Sequence, residues 1–228
     1  MIDKSNIWVF LPAYNEATVI GSVIQEVKSC GFFNIVVIDD GSTDTTSLIA
    51  KEEGAHILRL CINRGVGAAI KTGILYAKIK NLEQIVFLDA DGQHFPKDII
   101  KLVNEMKQKN SDVVIGSRFI TKESQIPFTR IIFNKVANLF THFGKSEVSD
   151  SQSGFRLLNK TAIKKLELEL DGYGTCTEMV WKINKLNLKL DETPIRVKYT
   201  KYSKSKGQNL WKGIQTAFYL IKNHLYEH

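Results

Sequence analysis

The chain has 228 residues, and its 43% hydrophobic and 24% charged residues are typical of a globular protein that can bury a large core. This composition excludes a disordered or low-complexity chain. The net charge of +7 favours a polyanionic partner, and by itself it leaves nucleotide diphosphates, an anionic membrane surface and nucleic acid open.

The cysteines and the apolar segments bear on where the protein works. Cys30, Cys61 and Cys176 are odd in number and form no Cys-x-x-Cys pair, so we expect reduced thiols rather than disulfides or a zinc site. The N-terminus enters an apolar segment without a secretory leader, which predicts a cytoplasmic protein. No apolar run approaches the roughly 20 residues that span a bilayer, so we expect membrane contact to be peripheral or to run through a partner protein.

The first half of the chain alternates strand and helix patterns. The predicted strands are 7–11, 34–38, 55–60, 84–88 and 112–116, and the predicted helices are 17–29, 44–53, 66–80 and 97–109. Such alternation predicts an α/β fold with a mostly parallel central sheet and helices on both of its faces.

The strict alternation stops after Arg118. The later pattern predicts helices at 128–143, 159–166 and 175–187, polar or basic loops at 145–153 and 198–206, and a strand at 189–199. A last helix, Leu210 to Leu225, carries an apolar face that fits either core packing or a membrane interface. Because no linker composition interrupts the chain, we predict one domain over residues 1–228.

Acidic residues follow two of the predicted strands. Asp89 and Asp91 come directly after one strand, with the amide of Gln93 close behind, and a second acidic turn at 39–44 follows another. Carboxyl ends of parallel strands meet at one edge of a sheet, and hard oxygen ligands suit Mg²⁺ or Mn²⁺ held together with a diphosphate. The alternative for either turn alone is a helix cap.

Six segments carry a resemblance to a known family. They are Leu11–Glu16, Val37–Asp44, Asn63–Gly67, Leu88–His94, Val114–Phe119 and Asp150–Arg156. Together and in this order they resemble the glycosyltransferase family 2 enzymes, within them the dolichyl-phosphate mannose synthase-like, or polyprenyl-phosphate glycosyltransferase, branch. The resemblance implies a GT-A type nucleotide-diphospho-sugar transferase fold, a Mg²⁺ or Mn²⁺ cofactor and inversion at the anomeric carbon.

The resemblance also implies roles for individual residues. The metal ligands would be Asp89, Asp91 and Gln93, and the catalytic set would be Asp91, Arg118, Asp150 and Arg156. The donor-binding residues would be Pro12, Tyr14, Glu16, Ile38, Asp40, Asp89, Ala90, Asp91, Arg118 and Lys206. Residues 1–118 would then bind the nucleotide sugar, residues 119–206 would form the acceptor side, and residues 207–228 would form the amphipathic helix.

For several of these residues the resemblance implies a specific contact. Tyr14 would stack on the base, and Asp40 would accept hydrogen bonds from the base or ribose. Arg118 would reach the donor phosphate, and Arg156 would neutralise an acceptor phosphate; the alternative for the Asp150–Arg156 loop is a turn with a structural Arg–Asp pair. Arg130 matches a further phosphate-contacting arginine of the branch, and the Glu178–Met179 pair echoes one on a branch helix, where an exposed helical Glu is the alternative.

The expected activity is transfer of a hexose from a GDP-mannose, UDP-glucose or UDP-GlcNAc type donor to a polyprenyl phosphate, dolichyl or undecaprenyl. A lipid phosphate is already an anion and needs no strong base, whereas a glycan hydroxyl, the alternative acceptor, would need a carboxylate such as Asp150. Thr200 and Lys201 stand where the mannose synthases carry an arginine, which weakens the case for GDP-mannose. The motifs of processive synthases are missing, so a single transfer is favoured.

Other classes of protein fit less well. A sugar nucleotidyltransferase or a dinucleotide oxidoreductase usually carries a glycine-rich phosphate loop after the first strand, and Pro12 to Glu16 is not one. The charge allows a nucleic-acid-binding module, but no recognised binding motif accompanies it, so no nucleic-acid partner is expected.

Overall fold

The computed structural model describes residues 2–120, 148–172 and 174–198, together with residue 126 and six residues between 131 and 138. Those six are helical and fall inside the helix predicted at 128–143. Residues 199–228, which include most of the predicted basic loop and the whole predicted C-terminal helix, lie outside the described residues.

The described residues form a seven-stranded sheet with the order β3-β2-β1-β4-β6-β5-β7. The strands are β1 (Ile7–Ala13), β2 (Asn34–Asp39), β3 (His56–Arg59), β4 (Gln84–Phe87), β5 (Val113–Ser117), β6 (Arg156–Asn159) and β7 (Leu190–Pro194). Strand β6 runs antiparallel to β4 and β5, and the other neighbouring strands are parallel. The first strands read as continuous apolar runs because the sheet is covered on both faces.

Helices pack on both faces of the sheet. They are α1 (Ile20–Ser29), α2 (Thr46–Glu52), α3 (Val66–Ile79), α4 (Ile99–Lys109), α5 (Lys160–Lys165) and α6 (Thr175–Lys185), with a 3₁₀ turn at Pro96–Asp98 before α4. Apolar residues of α1, α2 and α4 share one core cluster with the sheet, and those of α3, α5 and α6 share the other. Alternate residues of β1 divide between the clusters, with Leu11 in the first and Phe10 in the second.

The predicted α/β fold with a mostly parallel sheet is confirmed. Strand β6 was not predicted, because the sequence favoured a loop up to residue 153 followed by a helix at 159. The predicted strand at 189–199 is shorter, since β7 ends at Pro194, and only a single bridge between His94 and Val197 continues it. Cys30, Cys61 and Cys176 are free thiols, as expected.

Candidate active site at the carboxyl edge of the sheet

Four strands deliver the predicted site residues to one edge of the sheet. Strands β2, β1 and β4 are neighbours, and β5 is separated from β4 only by β6. Their carboxyl ends lead into Asp40, Tyr14, Asp89 and Arg118, respectively. This is the edge at which open parallel sheets bind ligands.

Asp89 is held on two sides. Its Oδ2 atom lies 3.0 Å from Nε2 of His94, whose ring is buried and lies against Phe155 with the ring centroids 5.2 Å apart. On the other side Gly154 approaches so closely that an added Cβ would lie 2.2 Å from Oδ1 of Asp89. The Asp89 side chain nevertheless remains 39% exposed, so it reaches the surface at the strand end.

Asp91 organises the turn that follows. Its Oδ1 accepts a 3.0 Å hydrogen bond from the backbone N–H of Gln93, and its Oδ2 accepts one from the Gln93 side-chain amide. Gly92 between them has a φ of 72°, a left-handed conformation that glycine adopts without strain. Gln93 therefore positions Asp91 through its N–H groups, in addition to the metal-ligand role expected for its oxygen.

The two carboxylates have different ionisation behaviour. Exclusion of water raises the pKa of Asp89, but the hydrogen bond with His94 and the nearby charges of Arg118 and Arg156 outweigh this effect, so the pKa is lowered overall. Desolvation and the negative charge of Asp89 raise the pKa of Asp91. A bound cation would relieve this repulsion between the two carboxylates.

Arg118 forms a two-pronged ion pair with Asp150. Its Nε and one terminal nitrogen donate to the two carboxylate oxygens, each at 2.7 Å, and its backbone N–H donates to Oδ2 at 3.0 Å. The Asp150 side chain is fully buried, while that of Arg118 is 14% exposed. Asp150 is therefore committed to holding Arg118, and the expectation that it could serve as a base for a hydroxyl acceptor does not fit this geometry.

Arg156 is the largest fully buried side chain of the described residues. Its guanidinium donates to the backbone carbonyls of Ser151, Ser153 and Cys176, at 2.6, 2.8 and 3.2 Å. The expectation that Arg156 neutralises an acceptor phosphate does not fit this geometry, because its guanidinium is buried and bonded to the protein backbone. Instead, Arg156 fixes the loop before β6 and places a positive charge near Asp89. The Arg–Asp pair expected as the structural alternative exists, but its arginine is Arg118.

The predicted nucleotide side contains a tightly bonded turn. Both Asp40 oxygens accept backbone hydrogen bonds, from Arg64 at 2.9 Å and Gly65 at 2.7 Å. Asp40 thus anchors the Asn63–Gly67 loop, a role the sequence did not predict, and its remaining lone pairs would have to serve any ligand. Gly65 has a φ of 104°, and a Cβ there would lie 2.7 Å from the carbonyl oxygen of Asp171.

The other predicted donor-binding residues differ in accessibility. Tyr14 is 41% exposed, and Pro12 is partly exposed at the end of β1. Glu16 is buried, with its backbone N–H bonded to Thr46 at 2.8 Å. The side chains of Ile38 and Ala90 belong to the core, so only their backbone groups are available to a ligand. Lys206 and Arg130 lie outside the described residues.

A family model for glycosyl transferase family 2 matches residues 8–167. The chain belongs to this family. Its sequence is 41% identical to an uncharacterised protein of Methanocaldococcus jannaschii over 99% of this chain and 95% of that protein. It is 34% identical to the UDP-N-acetylglucosamine–dolichyl-phosphate N-acetylglucosaminyltransferase of Methanococcus voltae, over 97% and 96%. Other homologues are named as dolichyl-phosphate glucosyltransferases and a polyprenol monophosphomannose synthase.

Solved structures show the same fold. Glucosyl-3-phosphoglycerate synthase of Mycobacterium tuberculosis, crystallised with Mn²⁺, UDP-glucose and phosphoglyceric acid, aligns with a TM-score of 0.75 at 19% identity, over 96% of this chain and 78% of that one. The described chain therefore has the GT-A architecture, and this protein is a family 2 glycosyltransferase.

Two glutamates of this glycosyltransferase, the half-buried Glu192 and the buried Glu178, hold loops around the site. Glu192 of β7 accepts the backbone N–H groups of Ser149 and Asp150, at 2.7 and 3.0 Å, and so positions the Arg118 partner. Glu178 of α6 accepts those of Glu169 and Leu170, at 2.6 and 3.0 Å. Glu178 is thus neither an exposed helical residue nor, in this arrangement, an obvious ligand contact.

His94 and Glu192 are contributors that the sequence reasoning missed. His94 ends the Asp89–His94 motif, which was a usable signal, whereas Glu192 sits in a weakly apolar strand and only the fold reveals its partners. Among the described residues, no three or more His, Cys, Asp or Glu side chains are grouped so that they could hold a metal ion, and no helix is long and apolar enough to cross a membrane.

Proposed function

We propose that this glycosyltransferase moves a hexose from a nucleoside-diphosphate sugar to a polyprenyl phosphate, with inversion and with the help of a divalent cation. The observation that carries the proposal is the carboxylate pair Asp89 and Asp91 at the end of β4, where the pKa of Asp89 is lowered and desolvation and the charge of Asp89 raise the pKa of Asp91. Support for the acceptor comes from the relatives whose names include dolichyl phosphate.

The residues at this corner fit a divalent cation. Asp89 stays ionised, and the raised pKa of Asp91 reflects in part a charge repulsion that a cation would remove. We assign Asp89 and Asp91 as protein ligands, with Gln93 as a third oxygen donor once its amide turns from Asp91. A site with so few protein ligands suits Mg²⁺ or Mn²⁺ completed by the donor diphosphate. When bound, the cation would stabilise negative charge on the leaving diphosphate.

The chain's own residues would orient the donor around this corner. Tyr14 would offer its exposed ring to the base, and Asp40, which anchors the Asn63–Gly67 loop, lies at the end of the neighbouring strand β2. Arg118 is held rigidly by Asp150, so its charge is fixed at the edge where the diphosphate would lie. In the transfer, the bond between the anomeric carbon and the diphosphate oxygen breaks with both electrons leaving on the nucleoside diphosphate. A new bond forms from the acceptor oxygen on the opposite face.

The state of Asp150 favours a phosphate acceptor over a hydroxyl. A hydroxyl acceptor needs a base to take its proton, but Asp150 is fully buried and both of its carboxylate oxygens accept hydrogen bonds from Arg118. A polyprenyl phosphate is already an anion near neutral pH, so positioning and charge stabilisation suffice. Since this acceptor resides in a lipid bilayer, the proposal includes peripheral membrane contact.

For the donor we put UDP-GlcNAc first. The relative from Methanococcus voltae, which this chain matches along nearly its whole length, is named for that donor. Thr200 and Lys201 stand where the mannose synthases carry an arginine, and this difference argues against GDP-mannose as the donor.

The test is a donor and acceptor panel with the full chain. UDP-GlcNAc, UDP-glucose and GDP-mannose are each incubated with Mn²⁺ and with farnesyl phosphate, an oligosaccharide acceptor or neither, and the labelled product and the released nucleoside diphosphate are measured. We expect lipid labelling with a UDP-sugar. Labelling of an oligosaccharide but never of the lipid phosphate would establish the glycan-hydroxyl alternative instead.

The metal assignment has its own test. Binding of UDP to Asp91→Asn is measured by calorimetry in the presence of Mn²⁺. The control is Glu167→Gln, which removes an exposed acid that forms a 3.8 Å ion pair with Lys78. We expect the Mn²⁺-dependent part of UDP affinity to disappear only in Asp91→Asn. Wild-type affinity in that variant would contradict the assignment.

A further inference from the structure

Three cations surround one aromatic ring beside the proposed metal corner. The charged ends of Lys198, Arg196 and Lys97 lie 5.3, 5.4 and 5.6 Å from the ring centroid of Phe95. We call these four residues the Phe95 cluster. No step of the mechanism above uses them, and they combine an apolar surface with concentrated positive charge.

Backbone contacts fix the cluster next to the corner. The segment after β7 pairs with the Asp91–Asp98 turn through the His94–Val197 bridge, and Lys198 donates its backbone N–H to the carbonyl of Gln93 at 2.9 Å. Residues flanking such a bridge project to the opposite face from the bridged pair. Phe95, Arg196 and Lys198 therefore share a face with Gln93, whose amide contacts Asp91.

The same segment also reaches the arginine side of the site. Ile195 donates its backbone N–H to the carbonyl of Ser117 at 3.0 Å, immediately before Arg118. The Phe95 cluster thus follows a short connection that runs between the Arg118 end of β5 and the Asp91 turn. An anion bound at the cluster would lie close to both.

The acids nearby neutralise the cluster only in part. Lys198 pairs with Glu26 of α1 at 3.2 Å, and Asp98 pairs with Lys101 at 2.9 Å and accepts the backbone N–H of Arg196 at 3.1 Å. The Arg196 Nε atom is buried and has no hydrogen-bond partner among the described residues. A buried guanidinium N–H without an acceptor is costly, and it indicates that an acceptor is supplied by something else.

We propose that the Phe95 cluster binds the phosphate of the acceptor, with Arg196 and Lys198 contacting the phosphate oxygens and Phe95 contacting the first isoprene unit. A guanidinium fork and an ammonium group suit a phosphomonoester, and the ring suits an apolar chain attached to it. The inference rests on the function proposed above and adds the acceptor subsite to it. This subsite replaces Arg156, which is buried away from any ligand.

The test measures binding of farnesyl phosphate to the full-length protein by calorimetry, with Mn²⁺ and UDP present. We expect Arg196→Gln/Lys198→Gln to weaken this binding roughly 10- to 100-fold, as for lost charge-assisted hydrogen bonds. Binding of Mn²⁺ and UDP should be unchanged. Phe95→Leu, which keeps an apolar side chain, should weaken binding less than the double variant.

The matched control is Lys164→Gln/Lys165→Gln, which removes the same charge from exposed positions of α5 on the other face of the sheet. It should bind farnesyl phosphate like the wild type. Equal weakening by both double variants would mean that only net charge matters and would overturn the inference. So would wild-type affinity in the cluster variant.

Two further arms identify the source of the phosphate. Inorganic phosphate and vesicles containing phosphatidylglycerol are offered to the same proteins. If the cluster variant loses vesicle binding but keeps farnesyl phosphate binding, the cluster recognises membrane headgroups, and the acceptor assignment is wrong. If the wild type itself neither binds farnesyl phosphate nor transfers sugar to it, the proposed function fails; if it does both and the cluster variant matches it, only the subsite fails.

Discussion

Gly154 lies so close to Asp89 that no side chain fits between them. A Cβ on Gly154 would sit 2.2 Å from Oδ1 of Asp89 and 2.8 Å from its Cγ. We therefore predict that Gly154→Ala displaces the Asp89 carboxylate and weakens Mn²⁺-dependent UDP binding roughly 10- to 100-fold, the range typical when a ligand's orientation is lost. Calorimetric titration measures this.

Gly172→Ala is the matched control, because an added Cβ there meets no heavy atom within 4 Å. It should bind UDP with Mn²⁺ as the wild type does. If Gly154→Ala also binds normally, then Asp89 can turn without loss of the metal site, and its assignment as a ligand becomes untenable.

The fold was largely predictable because its strands and helices carry strong periodic patterns. The predicted first strand, 7–11, and the predicted third helix, 66–80, match Ile7–Ala13 and Val66–Ile79 closely. Strand β6 escaped prediction because it has only four residues and begins with a charged one. Burying Arg156 is tolerable because three backbone carbonyls accept its hydrogen bonds, those of Ser151 and Ser153 just before it and that of Cys176 further along the chain.

The position of the candidate site residues in the fold was predictable, but their supporting hydrogen bonds and ion pairs were not. Motifs placed Asp89, Asp91 and Arg118 at one edge because each follows a recognisable strand. The motifs did not predict that Asp150 would form an ion pair with Arg118, or that Arg156 would be buried. The first outcome depends on two segments that lie 32 positions apart in the sequence, and the second depends in part on Cys176, which lies 20 positions beyond Arg156. Contacts between such segments leave no short-range signal.

Variants of the Arg118–Asp150 pair should distinguish a structural role of Arg118 from a role in catalysis. Arg118→Gln leaves a fully buried carboxylate without its partner, which we expect to cost about 3–5 kcal/mol of unfolding free energy. Adding Asp150→Asn should restore most of that stability, since no buried charge is then left. Denaturant unfolding measures both variants, and transferase assays follow.

If Arg118 contributes charge to the donor site, the stable double variant will still be inactive. Recovery of activity together with stability would mean that Arg118 only braces the loop, and the donor-phosphate role would be withdrawn.

Glu192 should make stability depend on pH. Burial raises the pKa of Glu192 above that of an unfolded glutamate, so its stabilising contribution is complete below the unfolded pKa and is lost as the pH rises through the folded one. The unfolding free energies of the wild type and of Glu192→Gln are measured from below the unfolded pKa of glutamate to above the folded pKa of Glu192. As the pH rises through this range, the wild type should lose stability relative to the variant. Parallel curves would contradict the raised pKa.

We expect Asp40 to stabilise the fold directly and to affect nucleotide binding through the loop that it anchors. Both of its oxygens accept backbone hydrogen bonds, from Arg64 and Gly65, and an asparagine can accept only one of them. We predict that Asp40→Asn lowers the unfolding free energy by about 1–3 kcal/mol, the cost of leaving one of these N–H groups without its partner. UDP affinity should fall as well, because the Asn63–Gly67 loop loses its anchor. Asp3→Asn, an exposed acid bonded only to its near neighbours, serves as the control. Weaker UDP binding at unchanged stability would instead mean that Asp40 acts on the ligand directly and that its bonds to the loop are incidental.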